Sequence, residues 1–302
     1  MRQATWRDYL ALTKPRVISL LLLTTMAAMF IAAQGFPGWL LLLGLLVGGY
    51  MAAGAAGVFN MVYERDIDAL MERTASRPVV TSVVSPAQAL VFGSVLTVLS
   101  FVIIASASNL LAALLSWAGI AFYMIIYTMW LKRSTWQNIV IGGAAGAIPP
   151  LVGWAAVTGD LNLMAWLLFT LVFVWTPVHF WALALLIKDD YRAVGVPIAP
   201  AVIGERATVL QMVIYAVLTV SLTIIPFALR ELSVAYLLAA AALNALLLLR
   251  VLALYRQVSQ GASQRQLKRS RALSLYKFSM LYLALLFIAM ALDRTVFFNV
   301  IR

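Results

Sequence analysis

Nine apolar runs of membrane-crossing length, separated by short polar connections, leave this chain few folds to choose from. They fall at roughly 17–34, 38–59, 88–107, 110–130, 137–157, 163–187, 209–229, 232–254 and 273–293. A helix needs about 20 consecutive apolar residues to cross the hydrocarbon core, and backbone there must satisfy its own hydrogen bonds. Composition agrees: 64% of the 302 residues are hydrophobic and only 11% charged, against about a quarter charged in a soluble domain. The expected fold class is all-α, a polytopic membrane protein with nine transmembrane helices around a central cavity opening to the cytoplasmic side, one domain over 1–302. The basic, apolar N-terminus has the look of a signal peptide, but with eight runs following it is read as an uncleaved first span.

The net charge of +11 reads as topology, with no nucleic-acid partner. Connections after the first, third, fifth and seventh runs hold a single basic residue, Arg230. Those after the second, fourth, sixth and eighth hold Arg65, Arg73, Arg77, Lys132, Arg133, Lys188, Arg192, Arg206 and the cluster from Arg256 to Arg271. Positive-inside bias then places the N-terminus and every even connection in the cytoplasm, and the C-terminus outside. The cluster Arg265, Lys268, Arg269, Arg271 and Lys277 suits anionic lipid headgroups. With one His and no Cys, metal chemistry rests on carboxylates.

One charged stretch needs an explanation: NMVYERDIDALMERTASRP, Asn60 to Pro78. Written as a helix, it stacks Asn60, Glu64, Asp68 and Glu72 at steps of four, each advancing about 40° around the axis. Arg65, Arg73 and Arg77 form a second rail about 100° away. A solvated helix favours opposite charges at i, i+4, whereas Glu64/Asp68, Asp68/Glu72 and Arg73/Arg77 are like-charged. A site that binds cations beside anions explains this better than an ordinary wet face, and oxygen donors at this spacing suit Mg²⁺. A second charged patch, Lys188, Asp189, Asp190, Tyr191 and Arg192, follows the sixth run on the same side.

The second run carries Gly48, Gly49, Gly54 and Gly57, and the fifth carries Gly142, Gly143 and Gly146 before Pro149 and Pro150. Such small residues let helices pack closely. The Gly run meeting a Pro pair also suggests interrupted helix geometry beside a cavity. In the sixth run, Pro177 is expected to kink the helix and free the carbonyl near Phe173, close to His179. An intramembrane ionisable residue is a functional candidate by default, although His179 could simply bond a freed carbonyl or a neighbouring hydroxyl. It should lie ~13 Å below Lys188.

Two carboxylate patches at one mouth, basic residues beside them and an apolar interior suit a substrate with a diphosphate head and a long hydrocarbon tail. Mg²⁺ between carboxylates and diphosphate would offset charge on the leaving group, and ionisation of an allylic C–O bond follows.

The chain resembles the UbiA-type intramembrane prenyltransferases, which have nine spans and a first motif of Asn followed by Asp at +4 and +8. Asn60, Glu64 and Asp68 match that spacing, with Glu64 departing from the generic Asp. The generic second motif has two Asp four apart; here Leu186 precedes Asp190 by four, so the adjacent pair Asp189 and Asp190 must substitute. LTKPRVISLLL, MERTASRP, IGGAAGAIPPLVGWAAVTG, WTPVHFWALAL and KDDYRAVGVPIAP resemble one branch of the family, the protohaem IX farnesyltransferases.

That resemblance implies transfer of a farnesyl group from farnesyl diphosphate to a vinyl group of haem B, with water captured to give haem O. It implies catalytic Mg²⁺ held by Asn60, Glu64, Asp68, Asp189 and Asp190. It also implies that Arg73, Arg77, Lys132, Arg133 and Lys188 contact diphosphate or haem propionates, and that His179 contacts haem. Arg65, Asp66 and Glu72 are expected to act as supporting charges. A bacterial inner-membrane location and a partner enzyme that modifies haem O further are implied as well. Two other readings stay open: prenylation of an aromatic quinone precursor, and a secondary transporter with Gly/Pro-interrupted spans.

Overall fold

The computed structural model describes residues 3–260 and 265–297, with the backbone alone for 265–267 and 297. Arg2, the Arg265 side chain and the chain's last residues, on which the C-terminal orientation bears, lie outside the described residues. Among those described, all regular structure is helical. Nine helices are long and apolar enough to cross a membrane: Pro15–Ala33, Trp39–Tyr63, Pro86–Ala107, Leu110–Ser134, Asn138–Thr158, Leu163–Ala193, Gly204–Ala228, Val234–Ser259 and Lys268–Val296. They are called the first to ninth spans. All nine sequence-predicted runs are met, with helix ends shifted by a few residues, as boundary assignments generally are.

Each span packs on the next in chain order and the ninth returns to the first, so the bundle closes into a ring. The first span also packs on the fifth, and the sixth on the ninth, drawing the ring together. Because lipid is as apolar as Leu, such packing rests on close contact more than on solvent exclusion. Gly153 shows how close: a Cβ there would run into the carbonyl of Thr25 on the first span.

One expected interruption does not occur: the fifth span continues through Pro149 and Pro150. The sixth span likewise runs on through Pro177 with helical backbone. Neighbouring helices and local adjustment absorb the lost donors, as is common in membrane helices. The non-helical residue of the sixth span is Ile187, at φ −121° and ψ 17°, close to its charged end.

The fourth span changes its winding instead. Leu110–Ala121 is α-helical, Phe122–Leu131 is π-helical, and Lys132–Ser134 closes the span. With i→i+5 bonding, residues four and five apart come onto one face. Tyr123, Tyr127 and Lys132 stand at those steps.

These contacts make a paired prediction. Gly153→Ala should lower the midpoint of thermal unfolding in detergent, because its neighbour is backbone and cannot turn aside; overpacking of this kind costs about 1–3 kcal/mol. Gly146→Ala, with nothing within 4 Å of its added carbon, should leave the midpoint unchanged or raise it. Equal shifts for both would contradict the packing described.

Candidate active site

The second span delivers the first motif. It ends at Tyr63, and Glu64 caps it at φ −91° and ψ 8°, after which Arg65–Leu70 forms a short helix. Hydrogen bonding survives the break: Glu64 N donates to the Asn60 carbonyl and Asp68 N to the Glu64 carbonyl, both at 2.9 Å. Asn60, Glu64 and Asp68 therefore keep the i, i+4 alignment and are all buried. The rail ends there, because Met71 turns extended. The predicted fourth member, Glu72, is exposed with Arg65 on the outside. Asp68 makes its ion pair with Arg77, which successive turns after Met71 carry back over the short helix.

Each of the three oxygen donors meets one cation. Lys14 Nζ donates to Asn60 Oδ1 at 2.6 Å, Lys132 pairs with Glu64, and Arg77 with Asp68. Asn60 Nδ2 donates to Thr128 Oγ1 at 3.3 Å, which turns the amide oxygen toward Lys14. These groups, with Arg73, Tyr123, Tyr127 and Tyr191, line a cavity of about 140 Å³. That is the volume of roughly five waters, room for a compact polar head and far too little for a macrocycle.

Lys14 reaches the cavity through an unusual corner. It has left-handed backbone, φ 56° and ψ 58°, immediately before Pro15 opens the first span. Left-handed backbone at a non-Gly residue costs of the order of 1–3 kcal/mol and persists only where surroundings enforce it. Here they do. Thr13 Oγ1 donates to the Leu10 carbonyl at 2.8 Å and lies 3.0 Å from the Tyr50 hydroxyl. Gly57 faces the Leu12 and Thr13 carbonyls at a distance that any side chain would disturb. Burial, then the charge of Arg77, push the Lys14 ammonium down to about 7, with Glu64 opposing them.

Tyr127 and Tyr191 flank the Lys132 ammonium, each ring centroid 6.0 Å away. Gly142 on the fifth span leaves the space that the Tyr127 ring fills, and Gly143 does the same for Thr176 on the sixth.

Other expected site residues lie elsewhere. Arg133 makes a two-pronged pair with Asp66, at 2.9 and 2.8 Å, outside the cavity; that pairing holds the Asp66 carboxyl below its usual range. Lys188 pairs with Glu205 at the start of the seventh span. Asp189 is exposed beside Arg192, and with Lys188 it lines a separate depression between the sixth and ninth spans. The described cavity wall includes neither Asp189 nor Asp190. The bend at Ile187 re-aims the last turn of the sixth span, so Tyr191 is what that patch contributes.

His179 is buried within the sixth span, stacked between Trp175 and Tyr276 at 4.6 and 4.9 Å. Its Nδ1 lies 2.8 Å from Ser279 Oγ, whose hydroxyl donates to the Tyr276 carbonyl at 2.8 Å. That hydroxyl has one proton and has spent it, so Nδ1–H is the donor and Nε2 carries the lone pair. The freed Phe173 carbonyl is not its partner; a neighbouring hydroxyl is. Sequence reasoning missed Lys14, Tyr123 and Tyr127, and named Tyr191 within the second charged patch without giving it a role. Lys14 stood in a quoted stretch but read as topology charge, and Tyr123 and Tyr127 carried no signal without the π winding.

Among the described residues no three His, Asp or Glu side chains could hold a metal together. The cavity instead offers two carboxylates and an amide oxygen. That donor set fits Mg²⁺, which commonly takes one or two carboxylates and fills its shell with water and substrate phosphate.

The profile of the UbiA prenyltransferase family matches residues 21–280. The chain belongs to that family. A protoheme IX farnesyltransferase of Thermus thermophilus is 61% identical over 97% of this chain, which spans 47% of the relative's length. One from Deinococcus radiodurans is 56% identical, over 98% of this chain and 95% of the relative. The chain thus spans about half the length of the first relative and nearly all of the second. In fold it is similar to a digeranylgeranylglyceryl phosphate synthase (TM-score 0.77, 17% identity, 96% of this chain and 98% of that one). It is also similar to a UbiA homolog from Archaeoglobus fulgidus bound to GPP and Mg²⁺ (TM-score 0.65, 16% identity, 94% and 99%). The fold is that of an intramembrane prenyltransferase.

The Lys132–Glu64 pair gives a stability prediction. Both side chains are buried, at 10% and 3% exposure. Lys132→Met should strand the carboxylate and destabilise the protein by about 3–5 kcal/mol. Lys132→Met with Glu64→Gln should regain much of that in detergent unfolding. If the double variant is no more stable than the single one, the carboxylate is not the source of the loss.

Proposed function

We propose that this protein transfers the farnesyl group of farnesyl diphosphate to a vinyl group of haem B, giving haem O on addition of water. The observation that carries the reading is the convergence of Asn60, Glu64 and Asp68 with Lys14, Arg73, Arg77 and Lys132 in one cavity. The farnesyl and haem B assignments rest on the resemblance of the whole chain to the farnesyltransferases above.

Asn60, Glu64 and Asp68 would hold Mg²⁺, which when bound offsets charge on the departing diphosphate. Lys14, Arg73, Arg77 and Lys132 donate to the diphosphate oxygens, as charge-assisted bonds that strengthen as the leaving group gains charge. The C1–O bond of the farnesyl group breaks with its electron pair going to diphosphate. The vinyl π electrons then form the new C–C bond at C1. The cation left beside the porphyrin is delocalised into the macrocycle until water adds and loses a proton. No protein nucleophile takes part. Tyr127 and Tyr191, whose rings already flank an ammonium, turn electron-rich faces to the allylic cation.

His179 is assigned to haem. Its imidazole is fixed by Ser279 and two stacked rings, with the Nε2 lone pair in the state an iron ligand needs. Asp189 and Asp190 remain candidates for a further metal contact. The N-terminus, and with it the cavity mouth, is assigned to the cytoplasmic side of a bacterial inner membrane by its positive charge. A membrane enzyme that oxidises haem O would be the receiving partner.

The quinone-precursor reading uses the same diphosphate cavity and offers no role for His179. The transporter reading needs a charged site at the midplane, whereas these carboxylates sit at span ends.

The test is to incubate the purified protein with haem B, farnesyl diphosphate and Mg²⁺ and to examine extracted haem by mass spectrometry. Haem O is expected. Unchanged haem, with 4-hydroxybenzoate prenylated when supplied instead, would refute the acceptor. Asp68→Asn should lower turnover by at least about 100-fold, in the range seen when a group that stabilises developing charge is removed; full activity at saturating Mg²⁺ would make the rail structural. His179→Ala should lose haem affinity while the protein still inserts and still binds pyrophosphate.

A further inference from the structure

Each of the three oxygen donors that the cavity offers a metal is occupied by a cation of the protein itself. Lys14 holds Asn60, Lys132 holds Glu64 and Arg77 holds Asp68. These are not incidental neighbours along one helix: the partners stand 46, 68 and 9 residues apart. Lys14 comes from the corner before the first span, Lys132 from the end of the fourth, and Arg77 from the turns after the second. Each is buried or half-buried, and Lys14 is held in left-handed backbone to reach its partner.

The cavity wall carries four cationic side chains, Lys14, Arg73, Arg77 and Lys132, against two carboxylates, Glu64 and Asp68. With all of these ionised, four against two leaves an excess of two positive charges. A divalent cation arriving alone must push three cations off their partners and then sit among them, in a site where low dielectric magnifies the repulsion. A diphosphate meets the opposite balance. Its oxygens attract the same ammonium and guanidinium groups, with hydrogen bonds at least as strong as those they leave. Once the cations turn to phosphate, Asn60, Glu64 and Asp68 are released together, and the phosphate adds oxygen ligands that two carboxylates and an amide lack.

We infer that the metal site of this enzyme is made by the diphosphate: Lys14, Lys132 and Arg77 keep Mg²⁺ out of the empty cavity and exchange Asn60, Glu64 and Asp68 for phosphate oxygens, so that metal binds only with or after the diphosphate head. The inference rests on the diphosphate reading above and deepens it. Linkage makes the coupling reciprocal: metal must tighten diphosphate binding by the same factor by which diphosphate tightens metal. An enzyme arranged in this way carries no resident metal between turnovers.

The test uses the full-length protein in detergent, with Mn²⁺ as a countable substitute for Mg²⁺ and inorganic pyrophosphate as the probe. Protein-bound Mn²⁺ is measured by equilibrium dialysis against a micelle blank, with and without pyrophosphate. Wild type should bind Mn²⁺ at least tenfold more tightly with pyrophosphate present, and pyrophosphate binding should gain the same factor from Mn²⁺. Lys14→Met removes a cation whose partner is a neutral amide, so no carboxylate is stranded and folding should survive. This variant should bind Mn²⁺ alone more tightly than wild type, with a smaller gain from pyrophosphate. Equal Mn²⁺ affinity in wild type with and without pyrophosphate would overturn the inference and leave the functional reading standing. Absence of protein-bound Mn²⁺ even with pyrophosphate would overturn both.

Discussion

A carboxylate buried at the end of a membrane helix is tolerable only with a compensating charge beside it. Glu64 and Asp68 meet that requirement through cations supplied from elsewhere in the chain. Much of the local architecture follows. The corner at Lys14, the turns that return Arg77 and the winding that presents Lys132 each bring one cation to one oxygen donor. On the proposed reading the same arrangement serves chemistry, because a cation paired with a carboxylate is already placed to meet a diphosphate oxygen.

The packing of the bundle determines whether those cations arrive. Gly57 lets the Leu12–Thr13 corner settle onto the second span, which sets Lys14 above Asn60. Gly142 leaves room for Tyr127, and the π winding then brings Lys132 onto the face that Tyr127 occupies. Small residues and an altered helical pitch are therefore part of the site, although neither touches a ligand. Ser279 plays the corresponding part for His179, reaching from the ninth span to fix which ring nitrogen carries the proton.

The nine spans were legible because a lipid-crossing helix must be apolar for its whole length, a constraint written residue by residue. Asn60, Glu64 and Asp68 were legible because their spacing follows the helical repeat, which survives a break at Glu64. Glu72 was misplaced because the helix stops at Leu70 for reasons of local backbone that no charge pattern announces. Asp189 and Lys188 lie away from the cavity because a single non-helical residue, Ile187, turns the end of the sixth span, which no charge pattern announces. Lys14 was passed over because a lysine before the first span is indistinguishable from an orientation signal until the fold brings it 2.6 Å from Asn60. Long-range pairings of this kind are products of the ring, and sequence spacing carries no trace of them.

The distance between the two halves of the proposed reaction is set by two helices that flank the fifth span. Tyr123 lies nine residues in from Lys132, and His179 nine residues in from Lys188, about 13 Å at the α-helical rise and less where the fourth span is π-wound. The inner end of the polar cavity and the His179 imidazole thus reach comparable depth along their helices. Gly142 and Gly143, adjacent on the fifth span and turned about 100° apart, take the fourth-span Tyr127 and the sixth-span Thr176 respectively. On the proposed reading, the diphosphate head beside the fourth span and the macrocycle beside the sixth would take separate sectors of one bundle.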